Sequence, residues 1–247
     1  MSTLLFLHGV GGGRAAWDRQ VPYFSALGHR THAWDQPGYG GSALVEPYDL
    51  EQVAAALRRL IESLGGEPAV LVGHSMGGMI AQEAYARFPR LVKALVLGFT
   101  SPSFGGGSRE FVEKFIAARI APLDAGEGMA QIAARLMPTM RGTKSLPEGL
   151  AQAERIMSGI PPATYRKAVQ LLTTFDRREQ LPGIGVPTLL IAGSDDRTAP
   201  APVLERMAQK IPGAEYVLLQ GCGHLGPLDQ PGEFNRALRG FLERRKL

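Results

Sequence analysis

A single cysteine, Cys222, stands in the sequence, so no internal disulfide can staple the fold. Charged residues make up only 20% of the chain, too few for a disordered or highly solvated polypeptide. Basic residues exceed acidic ones by 27 to 23, a net charge of +4. They are scattered as single arginines or pairs such as Arg58-Arg59 and Arg177-Arg178, which reads as a solvated surface. No basic stripe interleaves with aromatics, so no nucleic-acid partner is expected. No apolar run approaches the ~20 residues needed to span a bilayer, so no membrane partner is expected either. No His/Cys cluster has metal-ligand spacing, and no metal is expected. No basic segment precedes a signal-type apolar run, so a cytoplasmic location is expected.

What the sequence does have is a 45% hydrophobic content in 247 residues, with 31 Gly and 18 Pro. That suits one domain, or one domain carrying an insertion, with many short connections. Short apolar runs at Thr3–Leu7, Thr31–Trp34, Ala69–Val72, Ala94–Leu97, Thr188–Ala192 and Glu215–Leu219 read as strands. Several are apolar on both faces, as strands covered by helices on each side are. Between them, Leu50–Leu64, Met76–Phe88, Pro202–Ile211 and Gly232–Leu242 have helical patterning. Alternating strand and helix implies an α/β fold with a mainly parallel sheet.

One region breaks the rhythm. From about 104 to 181 no strand is convincing, and helices are expected at Arg109–Ile120, Gly128–Met137, Pro147–Met157 and Ala163–Phe175. Gly105-Gly106-Gly107 opens this region and Leu181-Pro182-Gly183 closes it. Residues 1–103 and 182–247 are therefore expected to form the core, and 104–181 a helical cap. Ligands of open α/β sheets bind at the carboxyl edge of the strands, where such a cap would sit.

Gly73-His74-Ser75-Met76-Gly77 lies between the Ala69–Val72 strand and a helix. A serine on so tight a strand-to-helix turn stands out from the sheet, next to free helix N–H groups that can stabilise an oxyanion. Gly73-His-Ser-Met-Gly-Gly78 resembles the nucleophile elbow of the α/β-hydrolase superfamily. Three further segments resemble that family in its chain order. His8-Gly9-Val10-Gly11-Gly12 resembles its oxyanion loop, which implies that the Val10 and Met76 amides would hold an oxyanion. Asp35-Gln-Pro-Gly-Tyr-Gly-Gly-Ser42 resembles a structural turn of the family. Ser194-Asp195-Asp196-Arg197-Thr198-Ala199-Pro200 fits its acid turn and selects Asp196 over Asp195.

His224, in Gly221-Cys-Gly-His-Leu-Gly-Pro, takes the place of the family's base. The order Ser75, Asp196, His224 is that of the fold. The resemblance implies a six-stranded sheet lacking the family's first two strands, with Thr31–Trp34 at an edge. It also implies a serine hydrolase acting on a small-to-medium ester or lactone, without a cofactor. His8 is expected to be structural, and His29, His32 and His74 uninvolved. Cys222 is expected to be packed rather than reactive. A carbon–carbon bond hydrolase, a lyase using the same three residues for acid–base work, and a non-catalytic binding module stay open at this point. So does the choice between monomer and homodimer.

Overall fold

The structure, a computed structural model, describes residues 1–105 and 108–247. Gly106 and Gly107, where the expected opening of the helical region partly falls, lie outside the described residues.

Numbered in chain order, the strands are β1 (Thr3–Leu7), β2 (Arg30–Trp34), β3 (Ala69–His74), β4 (Val92–Gly98), β5 (Thr188–Gly193) and β6 (Glu215–Leu219). They form one parallel sheet in the order β2-β1-β3-β4-β5-β6. The six-stranded parallel α/β architecture matches the expectation, as does the placing of residues 31–34 at an edge. β1 is buried along its whole length, and β5 likewise. Their branched and aromatic side chains serve both faces of the sheet, which explains the continuous apolar runs.

Helices α1 (Val21–Ala26), α2 (Leu50–Ser63), α3 (Met76–Arg87), α8 (Ala201–Lys210), α9 (Gly226–Asp229) and α10 (Pro231–Arg244) belong to the sheet half of the chain. α2 shows how local chemistry sets an element. Asp49 caps it, its carboxylate accepting the Gln52 N–H at 2.8 Å, an arrangement worth about 1 kcal/mol. Val53, Leu57 and Ile61, spaced by four, turn one face into the core. Each such burial is worth roughly 1.5–3 kcal/mol. Val53→Asp would put a charge into that face and undo the packing.

The stretch between β4 and β5 is helical: α4 (Arg109–Asp124), α5 (Met129–Leu136), α6 (Pro147–Ser158) and α7 (Pro162–Leu172). α4 runs past the expected end at Ile120, through Pro122. A proline in a last turn removes one N–H, and the Ala125 amide still closes on Ala121 O at 2.9 Å. Two short helices, α1 and α9, have no counterpart in the sequence reading. Their six and four residues are too few to show a period. At its end this helical stretch is tied to α3. Arg177 grips the buried carboxylate of Glu83 with two charge-assisted bonds, at 2.6 and 2.7 Å.

Candidate active site

The strand-to-helix turn after β3 places Ser75 at the N-terminus of α3, with φ 53° and ψ −119°. This is a left-handed φ that non-glycine residues avoid, so the neighbourhood has to hold it. Ser75 N–H donates to Gly98 O at 3.0 Å, and Thr100 Oγ1 donates to Ser75 O at 2.8 Å. Small neighbours are required for close approach. A Cβ on Gly77 would lie 2.0 Å from Leu7 O, and one on Gly73 would lie 2.5 Å from Gly77 O. Gly-x-Ser-x-Gly is thus a packing requirement of β1, β3 and α3 as much as a chemical one.

The structure brings together the three residues singled out from sequence. His224 Nε2 is 3.0 Å from Ser75 Oγ, and its Nδ1 is 2.8 Å from Asp196 Oδ2. The other carboxylate oxygen of Asp196 accepts the Thr198 and Ala199 amides at 2.8 and 2.9 Å. The Asp196 side chain is wholly buried, so these three bonds replace its water. Asp196 bonded to Nδ1–H leaves Nε2 bare to accept the Ser75 proton.

Asp195 has a different task. Its Oδ2 accepts both the amide and the hydroxyl of Thr143, each at 2.8 Å. Those bonds, the Thr143 amide first, hold its carboxyl below the usual range. It fastens the helical segment to the turn after β5.

The two candidate oxyanion donors flank Ser75. Met76 is the first residue of α3, where N–H groups lack intrahelical partners. The Val10 amide has no backbone acceptor among the described residues. His8, expected to be structural, is set among backbone groups. It is fully buried, donates from Nδ1 to Gly9 O at 2.8 Å, and burial pushes its pKa down to about 4. The turn from Asp35 to Ser42 is closed by its own side chains: Ser42 Oγ donates to Asp35 O at 2.9 Å, and Asp35 accepts the Arg14 amide at 2.7 Å. Cys222 is fully buried, and burial raises its thiol pKa.

His74 departs from expectation. Its Nε2–H donates to the carbonyl of His224 at 2.7 Å, and the two rings lie 5.2 Å apart. Burial first, and the neighbouring His224 second, push its pKa down to about 3, so it stays neutral. The helical segment supports the same loop from above. His224 N–H donates to Met140 O at 2.9 Å, and Lys144 N–H donates to Gly221 O at 2.8 Å. A Cβ on Gly223 would lie 2.2 Å from Met140 O. Position within the elbow could have flagged His74. Nothing local in the sequence points to residues 140–144.

Above Ser75 opens a cavity of about 880 Å³, bordered by Val10, His74, His224 and the sheet edge below. From the helical segment come Phe104, Phe111, Phe115, Met137, Met140 and Met157. Its size and mainly apolar wall suit a small organic molecule. Among the described residues, no three His, Cys, Asp or Glu side chains are gathered as metal ligands. No described helix is long and apolar enough to cross a membrane.

The fold has known counterparts. A family model described as alpha/beta hydrolase fold matches residues 2–231. The chain belongs to the alpha/beta hydrolase fold family. Within it, the chain is 30% identical to a Mycobacterium tuberculosis protein named as a non-heme bromoperoxidase, BpoC, over 96% of this chain and 92% of that protein. A thermophilic esterase from Thermogutta terrifontis superposes with a TM-score of 0.87 at 26% identity, covering 99% of this chain and 90% of the esterase. The enol-lactonase from Burkholderia xenovorans LB400 superposes with a TM-score of 0.86 at 25% identity, covering 98% and 91%. This alpha/beta hydrolase thus shares the architecture of enzymes named for different reactions on one scaffold.

Proposed function

We propose that this protein is a serine hydrolase that cleaves a small-to-medium carboxylic ester or lactone through an acyl-enzyme. The observation that carries the proposal is the unbroken hydrogen-bonded line from Asp196 through His224 to Ser75, opening on the cavity. In this reading residues 1–103 and 182–247 form the catalytic core, and 104–181 the cap that shapes the substrate site.

The steps follow from the positions. His224 Nε2 takes the Ser75 proton as Oγ attacks the acyl carbon. Asp196 keeps the imidazole in the required tautomer and stabilises it once charged. The Val10 and Met76 amides receive the negative charge of the tetrahedral intermediate. His224 then hands its proton to the departing alkoxide, which leaves an ester of Ser75. Water, deprotonated by the same nitrogen, attacks that ester and releases the acid. His74 and Met140 hold the His224 backbone so that both of its ring bonds can form.

The test uses a fluorophosphonate and a p-nitrophenyl ester. Wild-type protein should gain one covalent adduct and show a burst of p-nitrophenol near one equivalent. The Ser75→Ala protein should show neither. Ester turnover preserved in Ser75→Ala would overturn the proposal. So would acid–base turnover of a lyase substrate in wild type with no acyl-enzyme formed.

A further inference from the structure

We propose that Arg119 and Tyr165 form a subsite in the helical half of the cavity that receives a carboxylate carried by the substrate away from its reacting carbonyl. The inference rests on the ester-cleaving reading, whose substrate class it narrows.

Arg119 lies on α4 and Tyr165 on α7, and both border the cavity. The Arg119 guanidinium sits 3.7 Å above the ring centre of Phe115, which orients it and strips part of its water. Burial accordingly pulls its pKa down from the usual arginine value. Arg119 nonetheless forms no ion pair among the described residues, although α4 is rich in acids. Glu113 is engaged by Arg109 at 2.8 Å, Glu110 by Lys114, and Asp124 by Arg166 at 2.6 Å. Each acid of that helix is committed elsewhere, on the solvent side.

Tyr165 is fully buried, yet its hydroxyl has no hydrogen-bond partner among the described residues. A buried polar atom without a partner costs about 1–3 kcal/mol, so a site that keeps one gains when a ligand supplies it. Burial raises the phenol pKa, which keeps the hydroxyl a donor. Helices α4 and α7 pack against each other, and both residues line the cavity from that side. A planar guanidinium fork and a phenol O–H, both without acceptors, match the oxygens of one carboxylate.

The rest of the wall has the same bias. Arg178, Arg197, Arg206 and Lys210 border the cavity, and no described Asp or Glu does. Among the described residues, only Arg178 of these is neutralised, by Asp176. Arg206 and Lys210 stand one turn apart on α8 at the exposed rim, where they draw anions inward. Arg119 is the member set deepest among apolar walls, where one desolvated cation selects one negative charge.

The experiment compares matched esters that differ in that charge. Monomethyl adipate is set against methyl hexanoate, with the carboxylate on the acyl arm. The acetate ester of 6-hydroxyhexanoate is set against hexyl acetate, with the carboxylate on the alcohol arm. For at least one arm, wild type should favour the anionic ester in kcat/KM. Arg119→Gln should lower that anionic-to-neutral ratio by roughly tenfold or more, and Tyr165→Phe by roughly two- to tenfold. Arg109→Gln removes a charge from the same helix outside the cavity and should leave the ratio in place.

Equal turnover of charged and neutral esters on both arms would overturn the subsite. A ratio that survives Arg119→Gln, or falls equally in Arg109→Gln, would do so too. Calorimetry with the Ser75→Ala protein repeats the comparison without turnover. If no ester is cleaved, the ester reading fails, while tighter binding of monomethyl adipate than of methyl hexanoate, lost on adding Arg119→Gln, would still uphold the subsite. Equal binding within both pairs, this one and the acetate of 6-hydroxyhexanoate against hexyl acetate, would sink it.

Discussion

The two walls of the cavity are furnished in opposite ways. On the sheet side, Ser75, Asp196 and His224 are bonded to one another, and the Asp196 and His224 ends are bonded further to backbone. On the helical side, Arg119 and Tyr165 border the same cavity, and among the described residues neither the guanidinium nor the hydroxyl has a hydrogen-bond acceptor. Groups that transfer a proton among themselves have to be preorganised by the protein. Groups that recognise a ligand have to keep their bonding capacity for it. On the proposed function, the contrast marks where chemistry ends and selection begins.

That contrast can be broken, and the largest effects belong on the sheet side. Ser75→Ala should lower kcat by roughly four to six orders of magnitude, measured on any ester that wild type cleaves, with the thermal midpoint nearly unchanged. A loss below a hundredfold would place the nucleophile elsewhere. Asp196→Asn should cost roughly three to four orders of magnitude, because an amide offers His224 the wrong tautomer. Asp195→Asn, one residue away, should cost less than about tenfold in kcat, because it touches Thr143 rather than His224. Comparable losses in the two variants would erase the distinction between the acid that orients the base and the acid that fastens the helical segment.

Acid should act on the fold before the cavity is considered. His8 and His74 are held neutral by burial, at pKa values of about 4 and about 3. Both lie below the ~6.5 of an unfolded histidine. Between those limits the unfolded chain binds protons that the folded chain refuses. Their contribution is therefore whole above about pH 6.5 and is lost as pH falls toward 3. At pH 4.5 the loss should be roughly 2–3 kcal/mol for each histidine, read as a lower urea midpoint than at pH 7.5. An unchanged midpoint would mean that these rings can charge in place. The smallest effect expected on the sheet side is that of His74→Gln. It keeps a donor near the His224 carbonyl and should reduce kcat by less than about tenfold.

Much of the sheet side was legible in the sequence because its signals are local. A strand, a Gly-flanked serine and a helix follow one another within Ala69–Arg87, and turn chemistry needs no distant partner to be recognised. Local spacing also singles out Asp196 over Asp195, and it is the Asp196 carboxylate that lies 2.8 Å from His224 Nδ1. The helical segment was legible only as helices. Its ends moved by a few residues, as for α4 running on through Pro122, because side-chain period says little about where a helix stops. The role of His74 is hidden for a related reason. Its partner is the carbonyl of a residue 150 positions away, so its place in the elbow is the single local mark it carries.

By itself the sequence determined the parallel α/β layering, the edge position of β2, the elbow at Ser75 and the order in which Asp196 and His224 follow it. Period, glycine spacing and turn residues act over a few positions, and they are written in the chain. Tertiary structure alone decided that Met140 and Lys144 brace the His224 loop and that Asp195 holds Thr143 across 52 positions. It alone left Arg119 without a carboxylate among the described residues, while every acid on its own helix found another cation. Pairing and burial are properties of surfaces brought together, so they exist only once the helices lie across the sheet.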